Sequence, residues 1–158
     1  MSRSVFRGDA RMSLEDHRAD WGRTVALVWA GMVLGVSFLA TPAKFLATSL
    51  PRPVALDVGR QTFRTFGWIE VALTAVLRLS AAAPVRQRPV ALAPGLIVLA
   101  QALWLRPQLD ARTRQVVDGG ETPPPSGLHL AYVACEVAKL AVLLGLGLTG
   151  HAAGRDEK

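Results

Sequence analysis

Cysteine is almost missing from this chain. Cys135 stands alone, so no intrachain disulfide can form and cysteine usage points to no redox compartment. Lying within the last apolar run, it reads as a small packing residue. Aromatics make up only 6% of the 158 residues, and Tyr132 is the single tyrosine. Histidine is limited to His17, His129 and His151. Only His129 lies beside an apolar run, and one imidazole cannot give a haem two axial ligands. Met32 and Cys135 are soft enough for copper, but no Met-x-Met or Cys-x-x-Cys spacing supports them. No metal and no cofactor are expected. GxSxG, P-loop, Rossmann glycine and HExxH patterns are all lacking, so the expected role is not enzymatic.

A strong charge pattern is lacking as well. The chain has 18 Lys+Arg against 12 Asp+Glu, a formal net charge of +6. The basic residues are scattered among loops beside apolar runs, with no basic helix and no patch interleaved with aromatics. Nucleic acid is therefore not an expected partner. Flanking charge that orients a membrane protein and meets anionic head groups is the simpler account.

What the chain does have is apolar length: 51% of residues are hydrophobic. Four runs stand out, Thr24–Ala40, Phe66–Ala83, Val90–Leu105 and Leu128–Leu148. A helix needs about 20 mainly apolar residues to cross a hydrocarbon core of ~30 Å. Four such runs predict an all-α, four-helix transmembrane bundle. It should have a polar N-terminal tail and one long loop between helices three and four. Residues 1–20 form the tail, 21–150 the transmembrane domain and 151–158 a polar C-terminal tail. The leader is long and partly acidic, the first apolar run is too long for a signal, and Ala40-Thr41-Pro42 makes a poor cleavage site because Pro follows, so helix one is expected to be retained.

Helix one is expected over Trp21–Leu50, with Trp21 as an interfacial anchor. Gly31 and Gly35 give it a small-xxx-small spacing suited to close helix approach. Pro42 should kink its far end, and Lys44 can snorkel on its long stem. Helix two follows Pro51-Arg52-Pro53, with a mixed polar start and Glu70 inside its apolar part. Helix three ends near Trp104. Arg106–Ser126 is the long connection, within which Gln108–Val117 can form a short surface helix. Helix four spans Leu128–Thr149.

With both termini on one side, that side carries Arg3, Arg7, Arg11, Arg18, Arg23, Arg78, Arg86, Arg88, Arg155 and Lys158. The other carries Arg52, Arg60, Arg64, Arg106, Arg112 and Arg114. The excess places both termini in the cytoplasm, in a multi-pass protein of the inner (plasma) membrane.

Charges within these runs cost roughly 2.5–3.5 kcal/mol each at a helix centre, so they should pair or line a polar path. The candidates are Glu70 and Arg78 on helix two, Gln101 on helix three, and His129, Tyr132, Glu136 and Lys139 on helix four. At about 100° per residue, Glu136 lies about 20° from the direction of His129, and Lys139 about 60° further round. His129, Tyr132, Glu136 and Lys139 thus share one face, and Glu136 and Lys139 can pair at i,i+3. Two readings follow. The charges are structural glue, with Glu70 meeting Lys139 or Arg78, or they form a path for a proton, ion or small solute.

Several short elements in order resemble a known family. Ala40-Thr41-Pro42-Ala43-Lys44-Phe45 is similar to an APxxF signature that closes helix one. Gly59-Arg60-Gln61-Thr62-Phe63 resembles a GxxxF element. Pro107 through Arg112 is similar to a P-x-x-x-x-R step, and Leu128-His129 to an LH element. The set resembles the uncharacterised bacterial four-transmembrane domain-of-unknown-function family related to transmembrane-protein-205-like proteins. That resemblance implies a four-helix integral membrane protein without an established catalytic activity. In this frame Pro42, Gly59, Phe63 and His129 serve as kink, close approach, anchor and interfacial hydrogen bond. An interaction, scaffold or accessory subunit is the expected function, with a small permease or proton-handling protein as the alternative. The lipid bilayer is the expected partner, with a homo-oligomer or larger membrane complex beyond it.

Overall fold

A computed structural model describes residues 3–80, 88–121 and 123–148, and among these every regular element is helical. The elements are α1 (Arg3–Val33), a π-helical segment (Leu34–Ala40), α2 (Thr41–Leu46), α3 (Arg52–Ser80), α4 (Arg88–Ala100), a second π segment (Gln101–Leu105), α5 (Arg106–Val117) and α6 (Leu128–Leu148). The stretch expected as an N-terminal tail is helical from Arg3 and continuous with α1. The C-terminal tail and Arg86 lie outside the described residues.

Among the described residues, three helical stretches are long and apolar enough to cross a membrane: His17–Leu46, Val90–Val117 and Leu128–Leu148. The 21 residues of α6 give a length of about 31 Å, close to a hydrocarbon core. At 29 residues α3 is also long, but Arg60, Arg64, Glu70 and Arg78 interrupt its apolar character.

The long connection after helix three is shorter than expected. The chain stays helical through Arg106 to Val117 and becomes irregular only after Asp118. Gly119 ends α5 at φ 79°, a left-handed conformation that glycine adopts without a Cβ penalty. The Gly120 N–H then donates to the Gln115 carbonyl at 2.8 Å. Arg112 reaches the Pro124 carbonyl and ties the following loop back to α5.

α1 packs on α3 and α6, and α4 packs on the same two helices. The apolar core holds Val25, Ala26, Trp29, Ala30, Val33, Phe66, Leu77, Val98 and Leu143. The core face of α1 is thus the Ala26/Ala30 side. Gly31 is exposed, and a Cβ on Gly31 or Gly35 would meet nothing within 4 Å. The close approach expected at Gly31 and Gly35 is therefore not made among the described residues. It occurs instead at Gly147, whose missing side chain leaves room for Leu27, and at Gly95, which faces Thr74.

Polarity is distributed inside out. Glu70, Gln101, Glu136 and Lys139 are buried, while Trp68, Leu79, Leu96, Leu103, Trp104 and Leu130 stand exposed. Water would penalise both halves of that arrangement; a lipid medium favours the outer one.

Candidate functional site, a buried ionic network beneath a cleft

The site begins with two prolines. Pro42 and Pro107 lack an N–H, and in a regular helix each ring would clash with the carbonyl one turn back. Both follow a π segment, whose wider turn relieves that crowding. In the first, the Thr41 N–H and Oγ1 both donate to the Val36 carbonyl, the hydroxyl at 2.8 Å. In the second, the Arg106 N–H donates to the Gln101 carbonyl. The kink expected at Pro42 is thus preceded by a widened turn rather than a simple break.

Each π segment delivers a polar side chain to one carboxylate. Ser37 Oγ donates to Glu136 Oε2 at 2.6 Å, and Gln101 Nε2 donates to Glu136 Oε1 at 2.7 Å. Lys139 donates to Glu136 Oε1 at 2.8 Å, to Gln101 Oε1 at 3.0 Å and to Glu70 Oε1. Lys139 has three N–H donors, and all three are used. Glu70 also accepts from Trp29 Nε1 at 3.3 Å and, at Oε2, from Arg106 Nη2 at 2.9 Å.

Two carboxylates and two cations therefore neutralise one another, and the network joins α1, the first π segment, α3, the second π segment, α5 and α6. Lys139 and Glu70 are fully buried, and Arg106 is partly buried. Both glutamates have every carboxylate oxygen hydrogen-bonded, which offsets much of the cost of taking them out of water.

The expected polar face is assembled in part. Glu70, Gln101, Glu136 and Lys139 come together, and the expected Glu136–Lys139 pair forms. Tyr132 is buried one turn above Glu136, its ring edge-on to Phe63 with centroids 5.2 Å apart. Arg78 and His129 do not join: both are exposed, Arg78 near the far end of α3 and His129 at the rim of a cleft. Trp29, Ser37 and Arg106 are additions. Ser37 and Trp29 carry no formal charge, so no hydropathy argument singles them out. Arg106 falls at the apparent end of an apolar run, where it reads as a flanking charge.

Glycines on α3 accommodate two cations. A Cβ on Gly67 would collide with the Arg106 guanidinium, and one on Gly59 with the Lys44 ammonium. Gly59 thus makes a close approach as expected, to a side chain rather than to a helix backbone.

Above the network lies a cleft of about 130 Å³, lined among others by Thr41, Lys44, Gly59, Arg60, Phe63, Arg106, Asp110, His129 and Tyr132. Arg60 is paired with Asp57 at 2.6 Å. Lys44 Nζ lies 5.1 Å from the Phe45 ring centroid. Tyr132 Oη and Arg106 Nε are buried without a hydrogen-bond partner. No group of His, Cys, Asp and Glu among the described residues has the arrangement of a metal site.

Residues 24–118, more than half of the chain, match the family model described as domain of unknown function (DUF4149). The chain belongs to this family. The matched residues include Trp29, Ser37, Glu70, Gln101 and Arg106, while Tyr132, Glu136 and Lys139 of α6 lie beyond the match. No curated protein and no solved structure matches the chain.

Proposed function

We propose that this DUF4149 member is a four-span integral membrane protein that acts by interaction, as a scaffold or accessory subunit, and not by catalysis. The observation that carries this reading is the closed network around Lys139. Its charges cancel and its donors are used up, which suits a clamp between helices better than a carrier that must give up its partners. In this reading α3 is the fourth span: its charges turn inward at Glu70, and Trp68, Ile69 and Val71 face outward. Residues 21–150 form one transmembrane unit with both termini cytoplasmic, in the inner membrane of a bacterium. The resemblance to transmembrane-protein-205-like proteins supports the same architecture. The exposed apolar faces suit lipid, a second copy or a larger membrane complex.

A second reading, a small permease or proton-handling protein, is favoured by one specific feature: the cleft stands directly above the network, with buried Tyr132 Oη and Arg106 Nε unpartnered between them. Glu136→Gln separates the two. A clamp predicts a lowered thermal midpoint in detergent, or loss of a stoichiometric partner purified from native membranes. Loss of solute or proton flux from a variant that inserts and unfolds like the parent would replace the clamp with the permease.

A further inference from the structure

We infer that the cleft is a binding site for a phosphate group, free or carried by an anionic phospholipid. The site stands whether the bundle serves as a scaffold or passes a solute. Polar side chains line it from three different elements, Lys44 from α2, Arg106 from α5 and Tyr132 from α6, with the buried Arg106 guanidinium and Tyr132 hydroxyl close to one another. Among the described residues Lys44 has no carboxylate partner, only the face of Phe45. A half-buried ammonium at the end of a membrane bundle without a counter-ion is costly.

Arg106 has already given Nη2 to Glu70, so its Nε is a spare donor on a fixed guanidinium. Tyr132 is 5% exposed, with its ring edge-on to Phe63. Donors supplied by separate elements suit a compact anion with several oxygens. Gly59 belongs to the same design: any side chain there would displace the Lys44 ammonium from the cleft.

The acid in the lining is Asp110, set against Arg60, whose own partner is Asp57. With Arg60 held by Asp57 and Arg106 by Glu70, Lys44 is the lining cation with no ion-pair partner among the described residues. A cleft of about 130 Å³ has room for a phosphate group. A lipid would insert its head group.

The test uses the full-length chain in a neutral detergent. Inorganic phosphate is titrated against chloride at matched ionic strength, following the thermal midpoint. In parallel, the protein in phosphatidylglycerol nanodiscs is compared with protein in phosphatidylcholine nanodiscs. The expected result is a saturable rise with phosphate, or a rise confined to phosphatidylglycerol; the first outcome assigns a free anion and the second a lipid head group. Lys44→Met should weaken the response at least ~10-fold and Tyr132→Phe several-fold, the scale of one hydrogen bond to a charged group. Tyr132→Phe removes only the hydroxyl and keeps the ring, so it remains a test if Lys44→Met fails to fold. No response to either anion beyond chloride overturns the proposal. So does an undiminished response in the folded variants.

Discussion

Arg106 rests its guanidinium on the backbone of Gly67 and donates to Glu70 Oε2 at 2.9 Å, three residues further along the same helix. The glycine and the glutamate make one receptor for the arginine, the first by leaving space and the second by supplying charge. Replacing Gly67 with alanine should push the guanidinium away and break the pair. Gly67→Ala is expected to destabilise the bundle by ~2 kcal/mol, the scale of a hydrogen bond to a charged group. Gly31→Ala, which meets open space, should leave the detergent unfolding midpoint within about 0.5 kcal/mol of the parent.

Lys139 is the hub. Lys139→Met leaves buried Glu136 without a cation and Glu70 with Arg106 alone, and should cost about 3–5 kcal/mol, the usual penalty for breaking a buried pair from one side. Adding Glu136→Gln removes one stranded charge. The double variant should therefore unfold at a higher temperature than Lys139→Met alone. If it unfolds lower, the two residues are not electrostatically coupled.

Ser37 depends on the π segment for its direction. Ser37→Ala should cost ~1.5 kcal/mol through the lost donor to Glu136. Pro42→Ala restores an N–H and favours a regular α turn, which rotates Ser37 away from the carboxylate. Both variants are expected to loosen the same contact. Hydrogen exchange should report it as faster amide exchange in α6 around Glu136, with little change in α4.

The proposed topology of four spans with cytoplasmic termini makes a labelling prediction. In a Cys135→Ser background, Ser49→Cys and Ser126→Cys should react with an impermeant maleimide added to intact cells. Ser80→Cys should react only after permeabilisation. Labelling of Ser49→Cys and Ser126→Cys from opposite sides would remove α3 as a span.

Much of the bundle is legible along the chain. Leu128–Leu148 is a span by length and composition, and its i,i+4,i+7 spacing of Tyr132, Glu136 and Lys139 marks a face that proves to be the buried one. The helix after Arg106 is visible only as Gln108–Val117, because Pro107 reads as a stop. In the fold the proline sits in the first turn of α5 behind a π segment, and the helix continues through it. Gly31 and Gly35 meet no neighbour among the described residues of one chain. Their spacing is a pattern many helices carry, and which glycine touches a neighbour depends on helix rotation.

Local periodicity and hydropathy, both properties of residues near one another in sequence, determined the all-helical class, the apolar spans and the list of charges that had to be buried. Tertiary structure decided the pairing. Glu70 could have met Arg78 on its own helix; it meets Lys139 and Arg106 instead, since these lie on elements packed against it. A charged group in a low-dielectric interior settles on whichever opposite charge the packing brings within reach. That distance is set by how helices turn against each other, which no single stretch of chain encodes.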